Sequence, residues 1–198
     1  MTYATDDEIG PATWQPPRAL GLTLAVAATG CLVTACFSHH WLIATDRPGA
    51  GYSPLEYQQC APACTTSSNF QVFKSTIDYP FDEDHISRGF PVSGAVAFIA
   101  LMVAAAGLLT TAAIAFAHQR PDLPMSPTTV ALVGLLIGLI SGCVFVGTKP
   151  PGSLGVSWGF LAFGVGAVTG IAATYLLARQ IRPRDPDLLH DAMNLDQF

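Results

Sequence analysis

Charge is what this sequence has least of. Only 12% of its 198 residues are Asp, Glu, Lys or Arg, and four stretches contain none: 19–45, 89–119, 123–148 and 150–178. Each exceeds the roughly 20 apolar residues that a helix needs to cross a bilayer. Half of the chain, 51%, is hydrophobic, which excludes an ordinary soluble fold but suits a bundle whose surface meets lipid. Asp, Glu, Lys and Arg are missing from the apolar stretches, and the histidines lie only at their ends, which argues against a transporter, proton pump or voltage sensor, since these need membrane-embedded charge. Basic residues are also scarce: nine Lys and Arg stand against 14 Asp and Glu, for a net charge of −5. That leaves no patch for nucleic acid and no polybasic grip on anionic lipid. No Ser, His and carboxylate fall together for nucleophilic catalysis, and Ser93, Ser141 and Ser157 read as small packing residues. No catalytic residue and no cofactor is expected.

What is present reads as an all-α membrane protein: a four-transmembrane-helix bundle with a small disulfide-stapled β-hairpin or β-sheet in an extracytoplasmic loop. The spans fall at about 19–45, 89–117, 125–148 and 154–178, within a membrane domain of residues 18–182 that includes an outer loop, 46–88. Residues 1–17, with Pro11, Pro16 and Pro17, form an N-terminal tail, and 183–198 form a C-terminal one. Arg18, Arg120, Arg179, Arg182 and Arg184 lie at one set of span ends, most of them in short segments beside the membrane. Arg47, Lys74, Arg88 and Lys149 lie at the other. Basic residues concentrate on the cytoplasmic side, and a close cysteine pair, Cys60 and Cys64, persists as a disulfide most readily outside it. Both termini are therefore expected in the cytoplasm, in a cell or inner membrane. Trp41, Trp158 and Tyr175 near span ends read as interfacial anchors.

The outer loop is too short for a core of its own and must lean on the bundle. Two strands are expected, 52–59 and 69–79, with alternation placing Phe73, Ile77 and Tyr79 on one face. Between them Cys60-Ala61-Pro62-Ala63-Cys64 closes a small ring if oxidised, for about 2 kcal/mol of chain-entropy stabilisation. A structural staple is the leading reading. A redox centre is the alternative, although thioredoxin-type sites use C-x-x-C, and a zinc site lacks a local set of ligands. The acidic run Asp82, Glu83, Asp84 reads as a solvated lead-in to the second span. As a calcium site it lacks the alternating ligands and turning glycine of an EF-hand loop. His39 and His40 at one membrane face and His118 at the other lie at unmatched depths for haem.

Gly134, Gly138 and Gly142 recur every four residues in the third span, and Gly166 and Gly170 do so in the fourth. Such spacing puts small residues on one helix face, where a neighbouring backbone can approach. Packing of spans three and four against each other is the expected use, with self-association the alternative.

The order Trp41, Tyr57, Cys60, Cys64, Arg88 resembles the claudin and peripheral myelin protein superfamily: a Trp ending span one, an aromatic three residues before a Cys, a second Cys in a β-forming outer loop, and an Arg opening span two. Where that family has Gly-Leu-Trp-x-x-Cys, this chain has Leu55-Glu56-Tyr57-Gln58-Gln59-Cys60. The resemblance implies a non-enzymatic structural, adhesion or assembly role through protein contacts, with membrane lipid, other membrane proteins or further copies as partners. Tyr57, Phe70 and Phe73 in the outer loop are the candidate contact residues, aromatics being frequent interface anchors. The alternatives are an accessory subunit of a larger channel or respiratory complex, and a thiol or quinone oxidoreductase using Cys60 and Cys64.

Overall fold

A computed structural model of the chain describes residues 18–45, 49–60, 63–78, 87–117, 125–150 and 154–181. Its elements run α1 (Arg18–Phe37), β1 (Leu42–Ala44), β2 (Ala50–Tyr52), β3 (Glu56–Cys60), β4 (Cys64–Ser68), α2 (Asn69–Asp78), α3 (Gly89–Ala117), α4 (Pro127–Gly147), β5 (Leu154–Val156) and α5 (Trp158–Ile181). Both tails, the acidic run Asp82, Glu83, Asp84, and His118 lie outside the described residues.

Four helices, α1, α3, α4 and α5, are long and apolar enough to cross a membrane, as fits an integral membrane protein. Large aliphatic side chains such as Ile99, Ile140, Leu161 and Val168 point outward, while the interior is filled largely by Ala, Leu and Phe. A bundle in lipid gains little from hiding aliphatic surface, so its helices associate through close packing. The most extensive interfaces join α3 to α4 and α1 to α5, with α1 also packed along α3.

Glycines set these approaches. A Cβ on Gly134 would lie 2.9 Å from both the Ala100 carbonyl oxygen and the Ala104 nitrogen, and one on Gly107 would lie 2.8 Å from the Ala131 nitrogen, so α3 and α4 touch backbone to backbone. Gly138 receives Leu101 of α3. The glycines of span three thus face mainly span two rather than span four. Gly142 alone of the three turns to α5, against Phe163. Gly166 packs on Cys31 and Leu32 of α1, and Gly170 on Leu135 and Leu108.

A five-stranded antiparallel sheet, ordered β4-β3-β2-β1-β5, lies at the end of the bundle where α1 stops and α3 and α5 begin. It departs from the expected hairpin in three ways. Span one ends at Phe37 rather than Thr45, because the uncharged run continues through a turn into β1. Span four begins at Trp158, and the three residues Leu154–Val156 pair with β1 as an edge strand. The strand expected at 69–79 is instead helical over Asn69–Asp78, and the partner of β3 is β4, paired from Glu56↔Ser68 to Cys60↔Cys64.

Local chemistry explains the switch at residue 68. The Phe70 N–H donates to Ser68 Oγ at 3.2 Å, and the Ser68 N–H donates to Gln71 Oε1 at 3.1 Å. This reciprocal capping satisfies two donors of a new helix and ends the strand.

The two classes of glycine give a direct test. Gly134→Leu forces α3 and α4 apart and should lower stability by about 1–3 kcal/mol in a detergent melt, the usual cost of overpacking. Gly30, which has nothing within 4 Å of a built Cβ, should accept Ala or Leu with no loss. Equal melting temperatures for the two Leu variants would show that the Gly134 approach is not tight.

Candidate interaction surface

A fully buried side chain lies where the sheet meets the bundle. Trp41 follows α1 by four residues and is fully buried. Its indole N–H donates to the Ala35 carbonyl at 2.7 Å, joining the Ser38 N–H on an acceptor in the last turn of the helix. Its ring stacks on Phe163 with centroids 5.0 Å apart and meets Phe145 and Phe160 edge-on at 5.9 and 5.7 Å. Trp41 is therefore a core residue and not the interfacial anchor its position suggests. Trp158, 49% exposed and stacked on His40, keeps an outward position, as does Tyr175, whose ring lies under Arg179.

The backbone around Trp41 is clamped from both sides. The Trp41 N–H donates to the Tyr52 carbonyl, the Ser157 N–H to the Trp41 carbonyl, and the Gly159 N–H to the His40 carbonyl. Gly51 lies so close beneath the His39 carbonyl that a Cβ there would sit 2.3 Å from the oxygen, so no other residue fits without a shift. The turn after β2 is seated in the same way: the Pro54 carbonyl lies 2.1 Å from where a Gly94 Cβ would be.

From this anchor an aromatic path leads outward. Phe145 stacks on Phe90 at 4.3 Å, Phe90 meets Tyr52 edge-on at 5.5 Å, and Tyr52 tilts against its cross-strand partner Tyr57 at 4.7 Å. Beyond Tyr57 the apolar contacts give way to polar strand. Tyr57, Gln59, Thr65 and Ser67 share the face that Tyr52 turns to the bundle, because cross-strand partners lie on one side of a sheet. Thr65 is nonetheless exposed, so the β3–β4 hairpin projects past the helices beneath it. Its residues Gln58, Gln59, Thr65, Thr66 and Ser67 are neutral and rich in hydrogen-bonding groups. Glu56, at the base, is the exception, 4.0 Å from His39 Nε2.

The hairpin is closed at its tip by the Cys60–Cys64 disulfide, whose Cα atoms are 3.9 Å apart. At its base, Asn69 is buried and donates through Nδ2 to the Ser53 and Pro54 carbonyls at 2.9 and 3.2 Å, while its own N–H donates to the Leu55 carbonyl. Asn69 thus ties the start of α2 to the β2–β3 turn, and that turn to α3. Sequence reasoning did not single out Asn69, and its role depends on partners 14 to 16 residues away that no local pattern displays.

Of the candidate contact residues, Tyr57 is half-buried and donates its hydroxyl hydrogen to Gln59 Oε1, and Phe73 packs against the core. Both serve in part to seal the loop. Phe70 is 47% exposed on the first turn of α2 and is the one that faces outward. Among the described residues no group of three or more His, Cys, Asp or Glu is placed to hold a metal ion.

Asn69→Ala removes two donors and leaves buried carbonyls unmatched, a change of about 1–3 kcal/mol. Amide exchange should accelerate in residues 53–56 and in the first turn of α2, with the centres of α3 and α4 unaffected. Unchanged exchange at both places would remove Asn69 from the account. Set against family models and curated proteins, the sequence matches none of them, and the functional reading rests on the geometry above.

Proposed function

We propose that this is a non-enzymatic membrane protein that works through contacts with other proteins, with the β3–β4 hairpin and the neighbouring Phe70 as the surface that makes them. One observation carries the reading. The chain presents a polar hairpin whose outer strand is exposed at Cys64, Thr65 and Thr66, and fastens it at the tip by the disulfide and at the base by Asn69. A strand pair that only connected two spans has no need of either fastening. A structural, adhesion or assembly role of the claudin and peripheral myelin protein kind is consistent with the Trp41, Cys60 and Cys64 placement. A subunit role in a larger membrane assembly uses the same surface.

In this reading the sheet lies outside the cytoplasm and both termini inside. The cysteine pair and the arginines at the opposite ends of the spans support that orientation. An impermeant thiol reagent applied to intact cells should label Ser67→Cys and spare Ala192→Cys in a background without native cysteines. The reverse pattern inverts the topology.

The contact role is tested by crosslinking in the membrane, extraction in mild detergent and identification of what accompanies the protein. Phe70→Ala trims a half-exposed side chain that is not part of the core cluster, and should weaken partner recovery about tenfold or more if Phe70 is an anchor of the interface. Tyr57→Ala should do so only with some loss of stability, since it also removes the ring contact to Tyr52. Full recovery with both variants, or a bound redox cofactor in place of a protein partner, would turn the reading toward an oxidoreductase.

A further inference from the structure

The five strands are held in two different ways, and the difference falls between β3 and β4. Strands β1, β2 and β5 are tied to the bundle through Trp41 and its backbone bonds, through Tyr52 on Phe90, and through Leu42, which is fully buried. Strand β4 has none of this. Its sequence, Cys64-Thr65-Thr66-Ser67-Ser68, contains no aliphatic or aromatic side chain, and Cys64, Thr65 and Thr66 are exposed. As the edge of the sheet it has one strand neighbour, β3. Its cross-strand partners, Glu56, Tyr57, Gln58 and Gln59, face it with Ser and Thr, pairs that add little beyond the backbone ladder. The remaining side-chain bonds are local: Thr65 Oγ1 to the Gln59 carbonyl at 3.4 Å, and the two capping bonds of Ser68.

Both ends of the segment are clamped to something firmer. The Cys60 N–H donates to the Gly49 carbonyl, and Asn69 is locked to residues 53–55. Between these clamps the disulfide is, among the described residues, the sole link from β4 to the sheet other than the ladder and the Thr65 bond. An exposed edge strand with one neighbour and no buried apolar side chain belongs to the parts of a fold that open locally at low cost.

We propose that Cys60–Cys64 is a redox-operated catch: oxidised, it holds β4 in the sheet; reduced, it releases residues 64–68 while the bundle and strands β1, β2 and β5 stay folded. The reductant is a thiol, either a small monothiol or a dithiol protein. Its thiolate attacks the sulfur of exposed Cys64, forming a mixed disulfide, and Cys60 leaves as a thiolate that takes up a proton. A second reductant thiol then attacks the mixed disulfide, releasing Cys64 as a thiol and the reductant as its disulfide. Two electrons and two protons reach the protein, and two reductant thiols are oxidised. The catch is independent of what the hairpin contacts, but its release removes β4 from the surface assigned above.

The test is amide hydrogen exchange on the full chain in mild detergent, before and after dithiothreitol, with the state of the bond fixed by mass after alkylation of the peptide carrying Cys60 and Cys64. Reduction should speed exchange of the 65–68 amides at least tenfold and leave α3, α4, β1 and β2 unchanged. The Cys60→Ser, Cys64→Ser double variant should show the fast pattern with or without dithiothreitol. Protection at 65–68 that survives reduction overturns the proposal, as does a loss of protection that spreads into the helices, which would make the bond a staple of the whole fold.

Discussion

The structure depends on how the chain leaves its first helix. In an apolar environment a broken helix exposes carbonyls that no water meets, and each must find a donor within the protein. Trp41 answers this at the end of α1 by returning its indole N–H to Ala35 while burying its ring between α4 and α5. That single placement turns the chain out of the membrane axis, starts β1, and fixes the level at which the sheet meets the bundle. The glycines Gly51 and Gly159 follow from it, since they are the residues on which the turn Ser38–Trp41 rests. A buried aromatic pair contributes about 0.5–1.5 kcal/mol beyond its buried area. Trp41 makes three such contacts, and the Phe90–Phe145 and Tyr52–Phe90 pairs carry the connection on into β2.

Rigidity therefore falls off outward. Strands β1 and β2 reach the core through Leu42 and Tyr52, and β5 pairs with β1. Strand β3 is held by its ladder to β2 and by Tyr57, whereas, among the described residues, β4 is joined only to β3, by its ladder and the disulfide, and to the base through Asn69. This gradient suits a contact surface. In the proposed contact role, the part offered to a partner is polar, and it is presented by strands tied to the bundle through Trp41, Leu42 and Tyr52. The exposed aliphatic side chains lie along the helices and the exposed polar ones of β4 lie in the sheet, so the two kinds of surface are separated along the molecule.

Much of this was legible in the sequence, and the failures share a cause. Absence of charge located the four helices because a charged side chain is costly in hydrocarbon, yet the same signal overran the ends of α1 and α5. Residues 38–45 and 154–156 belong instead to the sheet: they form the turn after α1, the inner strand β1 and the edge strand β5. Trp41 closes an apolar run as an interfacial anchor would, and only its distant partners Phe145 and Phe163 make it core. At 69–78 the alternation of apolar and polar residues favoured a strand, but Ser68-x-x-Gln71 is a helix-start pattern that outweighed it. The disulfide was legible from a close cysteine pair in a loop expected outside the cytoplasm. The glycines of α4 announced a close helix contact, but the choice of α3 over α5 as its main partner depends on the bundle's geometry and has no local trace.

The central claim, that Trp41 makes bundle and sheet one cooperative unit, is tested most directly by hydrogen exchange on Trp41→Ala in mild detergent. The account predicts that amides of β1, β2 and β5 lose protection together with the adjoining ends of α4 and α5, while the far halves of α3 and α4 keep theirs. Loss confined to the sheet, with the ends of α4 and α5 as protected as in the parent protein, would contradict it.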